Sequence, residues 1–145
     1  MKIKTLLLLA LGVFSGNLYA KDYLISTPNT SLLITATPGE KSKFQYYGSR
    51  ISDQDIQGIY DSGLAFGVES YPVFGLNTPG ERAMAVTHSD GNMSLDLVVE
   101  EVKQYTSDEA EITEIRMKDK VYPFLLKQIY KAYKGTDIIS TWVEV

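Results

Sequence analysis

The run E-R-A-M-A-V-T-H-S-D-G-N-M-S-L-D-L-V-V, residues 81–99, decides the fold. Its two halves alternate in character around a turn signal. In the first half Arg82, Met84, Val86 and His88 fall on one side, and Ala83, Ala85 and Thr87 on the other. In the second, Met93, Leu95, Leu97 and Val99 form an apolar face opposite Ser94 and Asp96. A two-residue period is the mark of a half-buried strand. Between them lies Asp90-Gly91, a pair that tolerates positive φ and so favours a hairpin turn. The reading is two strands joined at a tip, Thr87 to Asn92.

The same grammar extends in both directions. TSLLITAT (30–37) and SKFQYYG (42–48) are strand candidates joined through Pro38-Gly39. Glu100-Glu101 breaks the phase of the run before it, which predicts a bulge or a strand end. EITEIRM (111–117) alternates again, with Thr113, Ile115 and Met117 opposed to Glu114 and Arg116. Lys118-Asp119-Lys120 reads as a turn, and IISTWVEV (138–145) as a last strand. ISDQDIQGIYDSG differs. Ser52 with Asp55 resembles a capping box, and Ile56, Ile59 and Tyr60 have helical spacing, so one or two helical turns or a long loop are expected. YPVFGLNTPG (71–80) is a loop, pinned by Val73 and Phe74. Residues 123–133 are ambiguous. Leu126, Ile129, Tyr130 and Tyr133 fit a helix opened by Pro123, yet Val121, Tyr122, Phe124 and Ile129 are strand formers, and spacing alone leans towards helix.

The first residues stand apart. MKIK is a basic start, TLLLLALGVF a compact apolar stretch, and SGNLYA ends in Ala20 before Lys21-Asp22. This is the layout of a secretory signal peptide over residues 1–20, leaving 21–145 as the domain, exported to the periplasm or beyond the cell. An uncleaved membrane anchor is the alternative, although the apolar stretch is short for a span.

Composition narrows the function. The chain of 145 residues has no cysteine and one histidine, with a formal net charge of −4. An acidic balance without a basic patch disfavours nucleic acid. Lacking cysteine, the chain has no thiol nucleophile or thiolate metal site. His88 as a base would need an orienting partner and a nucleophile within about 3 Å, and a metal would need three or four convergent ligands. Neither set is visible, so His88 reads as capping the tip. The carboxylate groups Asp53-Asp55, Glu100-Glu101 and Asp108-Glu109-Glu111 read as a helix start and solvated strand ends. Neither a cofactor nor a metal is expected. Asn29 and Asn92 head glycosylation-type triplets, a weak signal.

YYGSRI, SGLAFGVESYPVFG, AVTHSDGNMSLDLVVEEV and KDKVYPFLLKQIYKAYKGTDIISTWVEV, in that order and spacing, resemble the N-terminal region of the bacterial α-galactosidases of glycoside hydrolase family 36. The most specific part is the H-x-D-G-N-x-S-x-D-L run from His88 to Leu97, supported by D-x-I-x-x-W from Asp137 to Trp142. The resemblance implies an all-β fold, an antiparallel β-sandwich with one short helical or loop insertion, and makes residues 123–133 a strand. It implies an enzyme that releases terminal α-linked galactose with two aspartates on a (β/α)₈ barrel, without a metal, in oligomeric assemblies. A barrel takes about 250 residues, and no residue here matches either aspartate. The chain is therefore expected to be an incomplete sandwich, a non-catalytic scaffold whose partners are the missing barrel and an α-galactoside oligosaccharide. Its substrate-proximal candidates are His88, Asp90 and Asn92 at the tip and Tyr71 and Phe74 in the preceding loop. Two other readings stay open: a free carbohydrate-binding module, with Tyr46, Tyr47, Tyr71, Phe74 and Trp142 available to stack on sugars, and a purely structural exported protein.

Overall fold

The computed structural model describes residues 20–74 and 81–145. Residues 1–19, on which the signal-peptide reading falls, and residues 75–80, part of the expected loop 71–80, lie outside the described residues. Two four-stranded antiparallel sheets face each other, each with its strands in sequence order. The first holds β1 (Asp22–Ser26), β2 (Thr30–Thr35), β3 (Lys43–Ser49) and the short edge strand β4 (Val68–Glu69). The second holds β5 (Leu97–Thr106), β6 (Ala110–Asp119), β7 (Leu125–Tyr133) and β8 (Ile139–Glu144). The β-sandwich and its single short helix, α1 (Ile56–Asp61), agree with the expected architecture.

Alternation builds the core. Tyr23 and Ile25 on β1 pair with Ile34 and Leu32 on β2, and all point at the second sheet. They meet Val99, Ile115, Met117, Leu126, Tyr130 and Ala132 in one apolar cluster. Strand β2 is buried on both faces, as its run of apolar and hydroxyl residues requires. Ser31, Leu33 and Thr35 look away from the core, where the segment Arg50–Asp61 covers them. Ser31 Oγ accepts from the Ile51 backbone N–H at 3.1 Å, and the Tyr60 hydroxyl meets Thr35 Oγ1 at 3.0 Å. The start of that segment is the expected box: the Asp55 carboxylate accepts from the Ser52 N–H at 2.8 Å and from its hydroxyl at 2.7 Å.

Two bulges bend the sheets. On β5 the register shifts between Val99 and Glu101, where the acidic pair breaks the pattern, and Val102 then returns to the core side. The displaced Glu100 receives Arg116 Nε at 3.0 Å and Lys118 Nζ at 3.5 Å. On β3, Gln45 is the extra residue between Phe44 and Tyr46. Its buried amide donates to Thr35 Oγ1 at 3.0 Å and accepts from the Gly67 N–H at 3.1 Å. Gly39, in the β2–β3 turn at φ 85°, carries the chain across to the second sheet. There the Gly39 N–H reaches the Val99 carbonyl at 2.8 Å, and the Val99 N–H reaches that of Glu40 at 2.8 Å.

Three expectations need correction. Residues 81–88 are extended but are not a strand. Met84 makes one isolated bridge, to Val73. The alternation still sorts the faces, with Met84 and Val86 against the core. Strand β6 runs on to Asp119, because the Asp119 carboxylate takes the N–H groups of Val121 at 2.8 Å and Tyr122 at 2.7 Å and so moves the turn one step on. Met93 is largely exposed, so the apolar face begins at Leu95. The ambiguous stretch 123–133 contains strand β7, as the resemblance required.

Candidate functional site

The tip Thr87–Asn92 is a turn, built differently from the expected one. The Gly91 N–H bonds the His88 carbonyl at 2.9 Å, and the His88 N–H bonds the Asn92 carbonyl at 2.8 Å. Only Gly91 has positive φ, 85°, and Asp90 does not. This is a three-residue loop with glycine in the left-handed position, the second commonest hairpin connection. No regular ladder flanks it. The Asp90 carboxylate closes the turn by accepting from the Asn92 N–H at 2.9 Å.

The turn is fastened from outside by a residue that the sequence reading did not select. The Tyr122 ring stacks on His88 with centroids 3.5 Å apart. Its hydroxyl donates to Asp90 Oδ2 at 2.8 Å and accepts from the Asn92 amide at 2.8 Å. His88 Nε2 reaches the Ser94 carbonyl at 3.1 Å, so that nitrogen carries the proton. Asn92 Oδ1 accepts from the Ser94 N–H at 3.0 Å. The tip is thus a knot in which His88, Asp90 and Asn92 are brought together and spend their side-chain bonds on Tyr122, Ser94 and the turn's own backbone. The Asn92 N–H, then the Tyr122 hydroxyl, hold the Asp90 carboxyl below the usual range.

Two more carboxylates support the base of the knot. Burial of Asp119 favours its neutral form, but the N–H groups of Tyr122, Asp96 and Val121 outweigh it and lower its pKa. Asp96 lies between Lys41 Nζ at 2.7 Å and Lys120 Nζ at 2.9 Å, and both lysines lower its pKa.

Tyr71 and Phe74 approach from the side. The Phe74 carbonyl accepts from the Leu95 N–H at 2.9 Å, next to the Ser94 that His88 contacts. The Phe74 side chain is half-exposed under the Arg82 guanidinium, 4.3 Å from its ring centroid. Tyr71 packs against the core, and burial raises its pKa. One loop edge therefore joins these two residues to the tip through backbone links.

The other singled-out groups disperse. Tyr46 and Tyr47 are successive on β3 and point to opposite faces, and Trp142 is on β8 in the other sheet, so these aromatics form no planar row with Phe74. Asp53-Asp55 opens the helical segment, Glu100-Glu101 forms the bulge, and Asp108-Glu109 is the β5–β6 turn. Among the described residues no group of three or more His, Asp or Glu is placed to hold a metal ion. Asp137 heads the D-x-I-x-x-W run. It proves to be a clamp between the sheets, accepting from Thr27 Oγ1 at 2.9 Å and from the Asn29 N–H and amide, both at 2.8 Å.

Comparison with known proteins places this architecture. Residues 40–145 match the glycosyl hydrolase family 36 N-terminal domain. Among solved structures, a Geobacillus stearothermophilus α-galactosidase AgaA variant in complex with raffinose superposes with a TM-score of 0.70 at 17% identity, covering 85% of this chain and 21% of that one. AgaB from the same organism gives 0.69 at 16% identity, covering 86% and 21%. The Lactobacillus brevis α-galactosidase gives 0.65 at 14%, covering 86% and 21%. At such identities the likeness is one of fold, and the chain spans about a fifth of the length of these structures. No match is found among curated proteins.

Proposed function

The chain belongs to the glycosyl hydrolase family 36 N-terminal domain family, and from that premise we propose that it is the non-catalytic β-sandwich portion of an α-galactosidase-type hydrolase. The reaction served is hydrolysis of terminal α-linked galactose. The observation that carries this reading is the family match, which runs from the β2–β3 turn through the last strand. The tip His88–Asn92 and the loop edge Tyr71–Phe74 would border the sugar pocket supplied by the rest of the enzyme. The anchoring of the tip by Tyr122 supports that role, because side chains fixed by their neighbours' hydrogen bonds can position a wall without reorganising.

Glycoside hydrolysis needs two carboxyl groups facing each other, about 5–9 Å apart, one to attack or activate water and one to protonate the leaving oxygen. The carboxylates named above are instead committed to turns, caps and ion pairs. The expected result is that residues 21–145 alone do not hydrolyse an aryl α-galactoside. In the assembled enzyme His88→Ala lowers kcat/KM more than it lowers stability. Turnover by the sandwich alone that disappears in Asp90→Ala would overturn the scaffold reading. An effect of His88→Ala confined to unfolding would remove the tip from the pocket.

Export is part of the same proposal. The basic start, the leucine run and Ala20 support it. The mature protein should begin at Lys21 by N-terminal sequencing, and a secreted form retaining Met1 would refute it.

A further inference from the structure

The two sheets differ in what covers their outer faces. Helix α1 and its flanks cover the first. The β5–β8 sheet instead presents a groove of about 440 Å³ in its outer face. Its lining sets Leu125, Leu126 and Val145 beside Glu101, Lys103, Glu114, Arg116, Lys127 and Glu144. The register sets four of them in one row across the sheet: Glu101 opposite Arg116, Arg116 opposite Lys127, and Lys127 opposite Glu144. Lys103 and Glu114 stand in the next row, which continues through Ile129 to Trp142.

The chemistry of that lining selects an occupant. Three cations and three carboxylates balance, so the groove does not select a net charge. Charged residues are depleted at the cores of protein–protein interfaces, and a nucleic acid needs a basic surface. A neutral, hydroxyl-rich ligand takes donors and acceptors in equal measure. The heads are also held in place. Lys127 Nζ is 2.8 Å from Glu144 Oε2, and Lys103 Nζ is 3.3 Å from Glu101 Oε2. Glu100 engages Arg116 through Nε, which leaves the two terminal guanidinium nitrogens as donors. Trp142, outside the lining but in the next row of the same face, is 42% exposed, and its indole N–H points to Glu144 Oε1 at 3.4 Å. A half-exposed indole offers a flat apolar face beside polar groups, which suits the C–H face of a pyranose.

We propose that the outer face of the β5–β8 sheet binds a neutral oligosaccharide, with Arg116, Lys127 and the flanking carboxylates bonding its hydroxyls and Trp142 packing on a sugar ring. This stands apart from the tip and does not depend on the hydrolase reading.

Trp142 is the only tryptophan in the chain, so intrinsic fluorescence reports on this groove through its contact with Glu144. The full chain is titrated with stachyose and, separately, maltotetraose. A saturable change in emission with at least one of them is expected, insensitive to salt. Arg116→Ala and Glu144→Gln should weaken binding at least about tenfold, the loss of one charge-assisted hydrogen bond. Lys43→Ala, on β3 of the other sheet, should bind as the parent does. Circular dichroism checks folding. If Arg116→Ala unfolds, Arg116→Lys takes its place, since a point charge loses the planar fork and should still weaken binding. No saturable response to either sugar overturns the proposal, as does a response unchanged in both Arg116→Lys and Glu144→Gln. So does a salt-sensitive response to a sulfated oligosaccharide alone.

Discussion

Tyr122 lies flat against His88, with ring centroids 3.5 Å apart and planes 8° from parallel. The contact joins two turns from distant parts of the chain: the tip before β5 and the β6–β7 connection. The Tyr122 hydroxyl then ties Asp90 and Asn92 into the same knot. Stack and hydroxyl separate by substitution. Tyr122→Phe keeps the ring and removes both hydroxyl bonds, whereas Tyr122→Ala removes everything. Amide exchange at His88 and Gly91, whose N–H groups close the turn, should quicken modestly in the first variant and strongly in the second. Equal protection in parent and Tyr122→Ala would show that the turn holds itself.

Gly91 tests the turn from within. Its φ is 85°, and a Cβ built there meets nothing within 4 Å. Any cost of Gly91→Ala is therefore conformational rather than steric crowding by neighbours. Left-handed backbone costs an L-residue about 1–2 kcal/mol, so the urea midpoint should fall accordingly, while Ser89→Ala in the same loop leaves it within experimental scatter. An unchanged midpoint in Gly91→Ala would mean that the turn readily changes type.

Why some of this was legible and some not comes down to which partners are local. The bulge at Glu100 could be read because an acidic pair interrupts an alternating strand within three residues. The tip could be read because Asp-Gly signals a turn. Residues 81–88 misled because alternation reports faces, not ladders. Their one bridge partner among the described residues, Val73, pairs singly, and no sequence rule marks it. Residues 123–133 looked helical because β7 is buried on both sides. Leu126, Tyr130 and Ala132 enter the core while Ile129, on the opposite face, is also only 2% exposed. Apolar residues on both faces of a strand imitate a helical stripe. Tyr122 and Asp137 were missed for one reason: each meets partners 30 or more residues away. An isolated polar residue at a turn carries no local mark of that.

Tyr60 sits where α1 meets the outer face of the first sheet. Its hydroxyl donates to Asp22 Oδ1 at 2.6 Å. Burial first, then that carboxylate, push its pKa up to about 12. The unfolded value is about 10. A raised folded pKa means that the neutral phenol is favoured by the fold. The associated stability is complete below about pH 10 and is lost as pH rises through 12. Parent and Tyr60→Phe should therefore converge in urea midpoint between these values. The tyrosinate absorbance titration of the variant should also lack one late step. A parent in which every tyrosine ionises near 10 would contradict this.

Asp137 gives the complementary acid test. It sits in the β7–β8 turn and holds Thr27 and Asn29 of the β1–β2 turn, so one carboxylate fastens the two sheets at one end of the sandwich. The Asn29 side chain, then the Asn29 backbone N–H, then the Thr27 hydroxyl lower its pKa. A depressed folded pKa means that folding favours the carboxylate. Its contribution is therefore present above the unfolded value of about 3.9 and is lost as pH falls through the folded one. Asp137→Asn mimics the neutral group in shape and can still accept through one oxygen, but it cannot serve three donors with a charge. At pH 7 the parent should have the higher urea midpoint. As pH falls below about 4 the gap should close, because the parent's own carboxyl takes up its proton. A gap constant from pH 7 to well below the folded pKa would assign the clamp's effect to shape rather than charge. No gap at pH 7 would mean that the core alone holds the sheets in register.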